Sequence, residues 1–264
     1  MSEQQYFGYP QFDVKGEKVL TRSNGICADM LQDITVCRLA SGVCKTWKSD
    51  TDEMAFVLVE GALEFEWNEG GENRREKAVR ESFLTDGAYC LHVPRGIRVS
   101  LRAVGEKGFS EILVQATGND TGFNSFFYTP ENCREEVFGE GQFDGKARRS
   151  VRTFFDYHSA PYSNMVCGEI IVPQGGWSSY PPHWHPQPEV YYYRFSAPQG
   201  FGACFIGENA HVIKDGCFSA IPGGMTHPQV NAPGYAMYYV WMIRHLEEDP
   251  WTDRFFDEAH LWLR

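Results

Sequence analysis

Three of the chain's eight histidines fall close together in its second half: His183 and His185 as an H-x-H pair, then His227. On a strand, residues two apart project to the same face about 6.5 to 7 Å apart, so both imidazoles of the pair can converge on one ion. Glu189 stands four residues after His185, just before the apolar run Val190–Phe195, and offers a hard oxygen ligand. Three imidazoles and a carboxylate make a mixed nitrogen and oxygen set. It suits one divalent ion, Zn or Mn first, with Fe, Ni or Co also compatible, and it leaves room for water or substrate. Open coordination of that kind points to catalysis. An H-x-H pair taken alone is more often solvated or hydrogen-bonded, so the reading depends on elements that carry His227 to the same place.

Those elements read as many short strands. Apolar residues alternate or run together over Glu53–Glu60, Ala62–Trp67, Ile97–Val104, Glu111–Gln115, Val166–Val172, Val190–Phe195, Phe201–Ile206 and Ala236–Met242. Gly, Pro, Asn and Asp separate them at the spacing of a sandwich or barrel. Helical patterning is scarce, with His245–Asp249 and Arg254–Ala259 the best candidates. Charge and glycine rise across Glu131–Ser150, which predicts two units, residues 1–135 and 136–264. A faint echo, Gly87-x6-Pro94-x-Gly96 against Gly216-x5-Pro222-x-Gly224, suggests a duplicated β-barrel. The first unit's sole histidine is His92, so a four-ligand site cannot be assembled there.

Composition narrows the function. With 24 Lys and Arg against 35 Asp and Glu, the net charge is -11, and no basic cluster offers a phosphate-neutralising surface, so nucleic acid is not expected as a partner. No apolar run is long enough to span a bilayer, and the start Met1–Tyr6 has neither a basic nor an apolar leader segment, which leads us to expect a cytoplasmic protein without a membrane partner. The eight cysteines are scattered without a C-x-x-C pair and are expected as small buried apolar residues rather than disulfides.

Two longer patterns carry a resemblance. The run Gly216-x5-Pro222-x-Gly224-x2-His227-x3-Asn231 matches the second signature of the cupin superfamily, and Gly176, His183, His185 and Glu189 match the first with one extra residue in the opening gap. From about Arg148 onward the chain also resembles the 5-deoxy-glucuronate isomerases of inositol breakdown, related to the 4-deoxy-5-hexosulose-uronate ketol-isomerase of pectin breakdown. The residues that carry this are Gly175–His185, Glu189–Phe195, Gln199–Gly202, His227-Pro228 and Ala232–Tyr235. The resemblance implies an all-β, two-domain cupin, or bicupin. It further implies a metal held in the C-terminal barrel by His183, His185, Glu189 and His227, a small sugar-acid substrate and a homo-oligomer. Relative to that family, the stretch between H-x-H and Glu189 is contracted to Pro186-Gln187-Pro188.

Aldose–ketose isomerisation needs stabilisation of negative charge on two neighbouring oxygens, which a divalent ion supplies, and a proton route needs a base within hydrogen-bond reach. Candidates for the base or shuttle are Tyr191, Tyr193, Tyr238 and Glu208, although alternating tyrosines on a barrel strand commonly pack inside with the hydroxyl satisfied. A uronate carboxylate calls for arginine. Arg194 and Arg152 lead, with Arg148 and Arg149 also in range. The rival readings are an isomerase of another sugar acid, an Fe-dependent cupin dioxygenase and a non-catalytic sugar-binding cupin.

Overall fold

The alternating segments fold as antiparallel strands in a computed structural model that describes residues 6–106 and 108–264; the leader reading of residues 1–5 lies outside the described residues. The first half builds a sheet in the order Phe126–Tyr128, Tyr89–Val93, Asp52–Glu69, Phe109–Gly118, Asp33–Ala40, Glu17–Thr21. Asp52–Glu69, expected as two strands, is one strand of 18 residues that changes partners halfway. It pairs with Tyr89–Val93 up to Leu58 and with Phe109–Gly118 up to Glu60; from Gly61 it pairs with Glu72–Arg80 and from Leu63 with Val99–Ala103. Gly61 makes the bend: its φ is +109°, and a Cβ there would lie 2.6 Å from Ser110 Oγ. The two parts of the sheet close around Phe56, Leu63, Phe65, Leu101 and Ile112.

The second half builds a sheet in the order Phe7–Gly8, Phe218–Ile221, Glu189–Phe195, Met237–Arg244, Met165–Val172, Arg149–Phe155, Arg134–Phe138. A smaller sheet, Trp177–Ser178, Gln229–Asn231, Phe201–Ile206, Asn209–Lys214, accompanies it. The N-terminal strand Phe7–Gly8 therefore joins the later half by pairing with Phe218 and Ser219, and Arg134–Phe138 runs across position 135. Strand parity sorts the side chains of the large sheet. Tyr191, Tyr193, Tyr239, Trp241 and Ile243 turn into the second barrel, while Tyr192, Tyr238, Val240 and Met242 turn toward Val36, Val57 and Leu113 of the first.

Neither predicted helix forms. His245–Asp249 is a turn in which Leu246 bridges Asp249 and Glu248 takes a φ of +59°, with Pro250 next in sequence. Within Arg254–Ala259, Phe255–Phe256 is a strand, and only Glu258–Leu263 winds, as a 3-10 turn. All eight cysteines are free thiols; six are buried, Cys133 is half-buried, and Cys44, contrary to expectation, is exposed. No helix among the described residues is long and apolar enough to cross a membrane.

Candidate metal centre

The H-x-H pair sits on much less strand than its spacing predicts. His183 belongs to the two-residue strand His183–Trp184, which pairs with Phe255–Phe256, and His185 lies just past its end. Glu189 opens the strand Glu189–Phe195, and His227 lies in the loop before Gln229–Asn231. The two loops are fastened together. Gly224 donates its amide to the His185 carbonyl at 2.8 Å, and Gly223 approaches Pro186 so closely that a Cβ would come within 1.8 Å of the Pro186 carbonyl oxygen. The contracted Pro186-Gln187-Pro188 segment is held from its other side by Gln187 Nε2, which donates to the Asp249 carbonyl.

This packing brings the ligand atoms of His185, Glu189 and His227 within 4.8 Å of one another. His183 faces the same cavity, its ring centroid 4.9 Å from that of His227. Each imidazole is anchored through Nδ1 to a main-chain carbonyl: His183 to Pro181 at 3.1 Å, His185 to Gln187 at 2.9 Å and His227 to Met225 at 2.9 Å. A carbonyl only accepts, so each Nδ1 carries a proton, and in the neutral ring, the form that ligates, each Nε2 presents a lone pair. His185 Nε2 and His227 Nε2 then lie 3.2 and 3.3 Å from the same Glu189 Oε2, acceptors facing an acceptor, and His227 Nε2 is buried without a hydrogen-bond partner. Such an arrangement is repulsive unless a cation lies between the atoms. The separations match those around one ion, where bonds of about 2.1 Å set neighbouring ligand atoms about 3 to 3.4 Å apart. The residues fit a divalent metal.

Electrostatics agree. Burial, with the neighbouring His227 and Arg254 charges, holds His183 well below its ordinary value, and burial holds His227 below its own. Both rings stay neutral, the form that ligates. Tyr191 donates its hydroxyl to Glu189 Oε2 at 2.9 Å, and burial and the Glu189 charge push the phenol well above its usual range. It is a neutral donor rather than a phenolate base. The cavity, about 290 Å³, continues past Trp241, Ile243 and Trp251 to Arg149 and Arg254.

Most of the other sequence candidates lie elsewhere. Tyr193 is buried in the barrel beyond the cavity lining, while Tyr238 faces the first half and donates to Glu169. Glu208 is exposed in the turn between Phe201–Ile206 and Asn209–Lys214. Arg194 is taken up by Glu111 and Asp215, and Arg152 by Glu135 and Glu169, so neither guanidinium is available to a cavity ligand. Arg149, a lesser candidate, does line the cavity, together with Ser179, Trp251 and Arg254, which no sequence pattern marked. His92, in the first half, pairs with Glu53 at 2.9 Å and stacks on Phe155.

Comparison with known proteins gives a consistent picture. The family model described as KduI/IolB matches residues 9–263. The chain is 24% identical over 188 residues to a 5-deoxy-glucuronate isomerase of Geobacillus thermodenitrificans, covering 62% of this chain and 65% of that one. It is 25% identical over 167 residues to the 5-deoxy-glucuronate isomerase of Geobacillus kaustophilus, covering 58% and 57%. The matches thus span less than two-thirds of these relatives' length. Among solved structures, an IolB-like protein from Salmonella typhimurium superposes with a TM-score of 0.84 at 20% identity over 98% of this chain and 99% of that one. An oxalate decarboxylase from Lactobacillus farciminis superposes at 0.70 and 12% identity over 98% and 90%. The fold is the two-barrel cupin arrangement.

Proposed function

The chain belongs to the KduI/IolB family, and on that premise we propose that it is a metal-dependent aldose–ketose isomerase of a deoxy-uronic acid, converting 5-deoxy-D-glucuronate to 5-dehydro-2-deoxy-D-gluconate. The observation that carries this reading is the convergence of His185, Glu189 and His227, with His183 beside them, at a cavity of about 290 Å³ that His183, His185 and Glu189 line. The names of the relatives support the choice of substrate.

In this reading His183, His185, Glu189 and His227 hold one divalent ion. When bound, the ion supplies Lewis-acid stabilisation of the negative charge that develops on adjacent carbonyl and hydroxyl oxygens. The protein's own residues do the rest. The Nδ1 anchors fix the ring orientations, and Tyr191 holds the carboxylate of Glu189 by a hydrogen bond. Ser178 and the Tyr239 hydroxyl, 2.6 Å apart, form a second buried polar pair, and the Tyr239 ring packs against that of Tyr191 with centroids 4.8 Å apart. Trp241, Ile243 and Trp251 give the cavity wall an apolar surface that limits water around the reacting carbons.

The test is an NMR assay of the metal-replete protein with 5-deoxy-D-glucuronate. Loss of the aldehyde signal and growth of a ketone signal are expected. No conversion with either Zn or Mn would remove the reading. Conducted in deuterated water, the same assay separates a proton route, which takes up label at the receiving carbon, from a hydride shift, which does not.

A further inference from the structure

One arginine of the cavity, Arg149, has no carboxylate partner among the described residues, although Glu136, Asp156 and Glu189 line the same cavity. Arg149 opens the strand Arg149–Phe155 and is 6% exposed, yet it lines the cavity. Its guanidinium donates to the Ala147 carbonyl at 2.9 Å, one acceptor for a group with five N–H donors. The titratable groups around it are the phenols of Tyr239 and Tyr191 and the guanidinium of Arg254. Two other deeply buried arginines show the usual solution. Arg80 is matched by Glu169 at 2.7 Å, and Arg194 by Glu111 at 2.7 Å and Asp215 at 2.9 Å. A buried cation without a carboxylate costs stability, and its retention beside the metal ligands calls for an anion that arrives with the ligand.

Arg254 supplies the second half of the arrangement. Arg149 and Arg254 lie over the ring of Phe138, each 5.6 Å from its centroid, and the carboxylate paired with Arg254 among the described residues is that of the exposed Asp253, at 3.9 Å. The third cation of the cavity, Arg134, is already bound to Asp156 at 2.6 Å. A planar carboxylate fits a guanidinium through two parallel hydrogen bonds. Resting on the isomerase reading above, we propose that Arg149, with Arg254, grips the carboxylate of the sugar acid and determines specificity for acidic over neutral sugars. This assigns the role first sought in Arg194 and Arg152 to a different pair.

The experiment compares equilibrium binding of D-glucuronate, its neutral counterpart D-glucuronamide, and D-glucose 6-phosphate to the metal-loaded protein, read by calorimetry and by quenching of Trp241 and Trp251. Wild type is expected to prefer the glucuronate over the amide by about 10- to 100-fold, the range of charge-assisted hydrogen bonds. Arg149→Met is expected to bring that ratio near one and Arg149→Lys to restore part of it. Arg254→Ala, on a surface segment and so a safeguard should Arg149→Met fail to fold, is expected to shrink the ratio several-fold. Arg149→Met is also expected to melt no lower than wild type in the absence of ligand, since it removes an uncompensated charge. An unchanged ratio in Arg149→Met or in Arg254→Ala, or equal binding of acid and amide by wild type, overturns the proposal. Tighter binding of D-glucose 6-phosphate than of D-glucuronate overturns it as well. Because these affinities require no turnover, the two readings fail separately. Charge preference without conversion of 5-deoxy-D-glucuronate removes the isomerase, and conversion without charge preference removes the arginine pair.

Discussion

Glu189 Oε2 is where the chemistry of single residues converges. It accepts from the Tyr191 hydroxyl and faces two imidazole lone pairs, so its orientation decides whether those nitrogens share an ion. Tyr191→Phe keeps the ring and removes this hydrogen bond. Metal affinity is expected to fall about 10- to 100-fold, as for other hydrogen-bond partners of metal ligands, with little change in melting temperature; chelator competition measures it, and an unchanged affinity would show that Tyr191 merely packs. The four candidate ligand positions could be proposed from the H-x-H pair, Glu189 and the glycine–proline–glycine run leading to His227 taken together, and from none of them alone. Parity from Glu189 also singles out Tyr191 over Arg194. Tyr238 could not be excluded in this way, since its direction depends on the register that places Tyr239 opposite Tyr193. What distinguishes Arg149 is the lack of a carboxylate partner among the described residues, a property of tertiary neighbours that no linear pattern displays.

At the scale of elements, the site rests on loops tied to the sheet. The Leu246–Trp251 turn is the clearest case. Its charged residues and the C-terminal position suggested a helix, but the Trp251 amide donates instead to His245 Nδ1 at 2.9 Å, and this brings Trp251 to the cavity wall. That bond requires an unprotonated Nδ1. Burial first, then the Arg244 charge, lower His245 to about 4, while Glu53 and Asp156 oppose the shift. Between its ordinary value near 6.5 and about 4, the unfolded chain binds a proton here that the folded chain does not. Stability is therefore expected to decline as pH falls through that window, by up to about 3 kcal/mol, and to be free of this contribution above it. Denaturant melts of wild type and His245→Asn across pH 4 to 7 check this: the difference between them should narrow toward low pH, and a constant difference would contradict it. The strands themselves were readable from alternation. The bend at Gly61 was not, because the residues on both sides continue one strand while changing partners.

For the whole molecule, two barrels share a face sealed by apolar side chains and crossed by buried ions. Arg80 of the first half meets Glu169 of the second, both fully buried, and Glu111 of the first receives Arg194 and the Tyr192 hydroxyl of the second. Removing Arg80 takes one of two guanidinium partners from the buried Glu169, which keeps Arg152 at 3.0 Å and the Tyr238 hydroxyl at 2.9 Å. Arg80→Met is expected to destabilise the chain by about 1 to 3 kcal/mol, seen as a lower denaturant midpoint, while folded molecules retain their metal; no change in midpoint would place the pair among the weak contributors. The glycine–proline–glycine echo suggested two similar halves, but nothing in the sequence displayed their mixing by Phe7–Gly8, whose pairing with Phe218–Ile221 joins positions some two hundred residues apart. The account as a whole stands on one ion held by four side chains in the later barrel. Elemental analysis of wild type and of His183→Ala, His185→Ala, Glu189→Gln and His227→Ala, each purified from buffer containing Zn and Mn, tests it most directly. About one ion per chain is expected in wild type and below about a tenth of that in each folded variant. Undiminished metal in all four variants, or a folded wild type that takes up none, would contradict it.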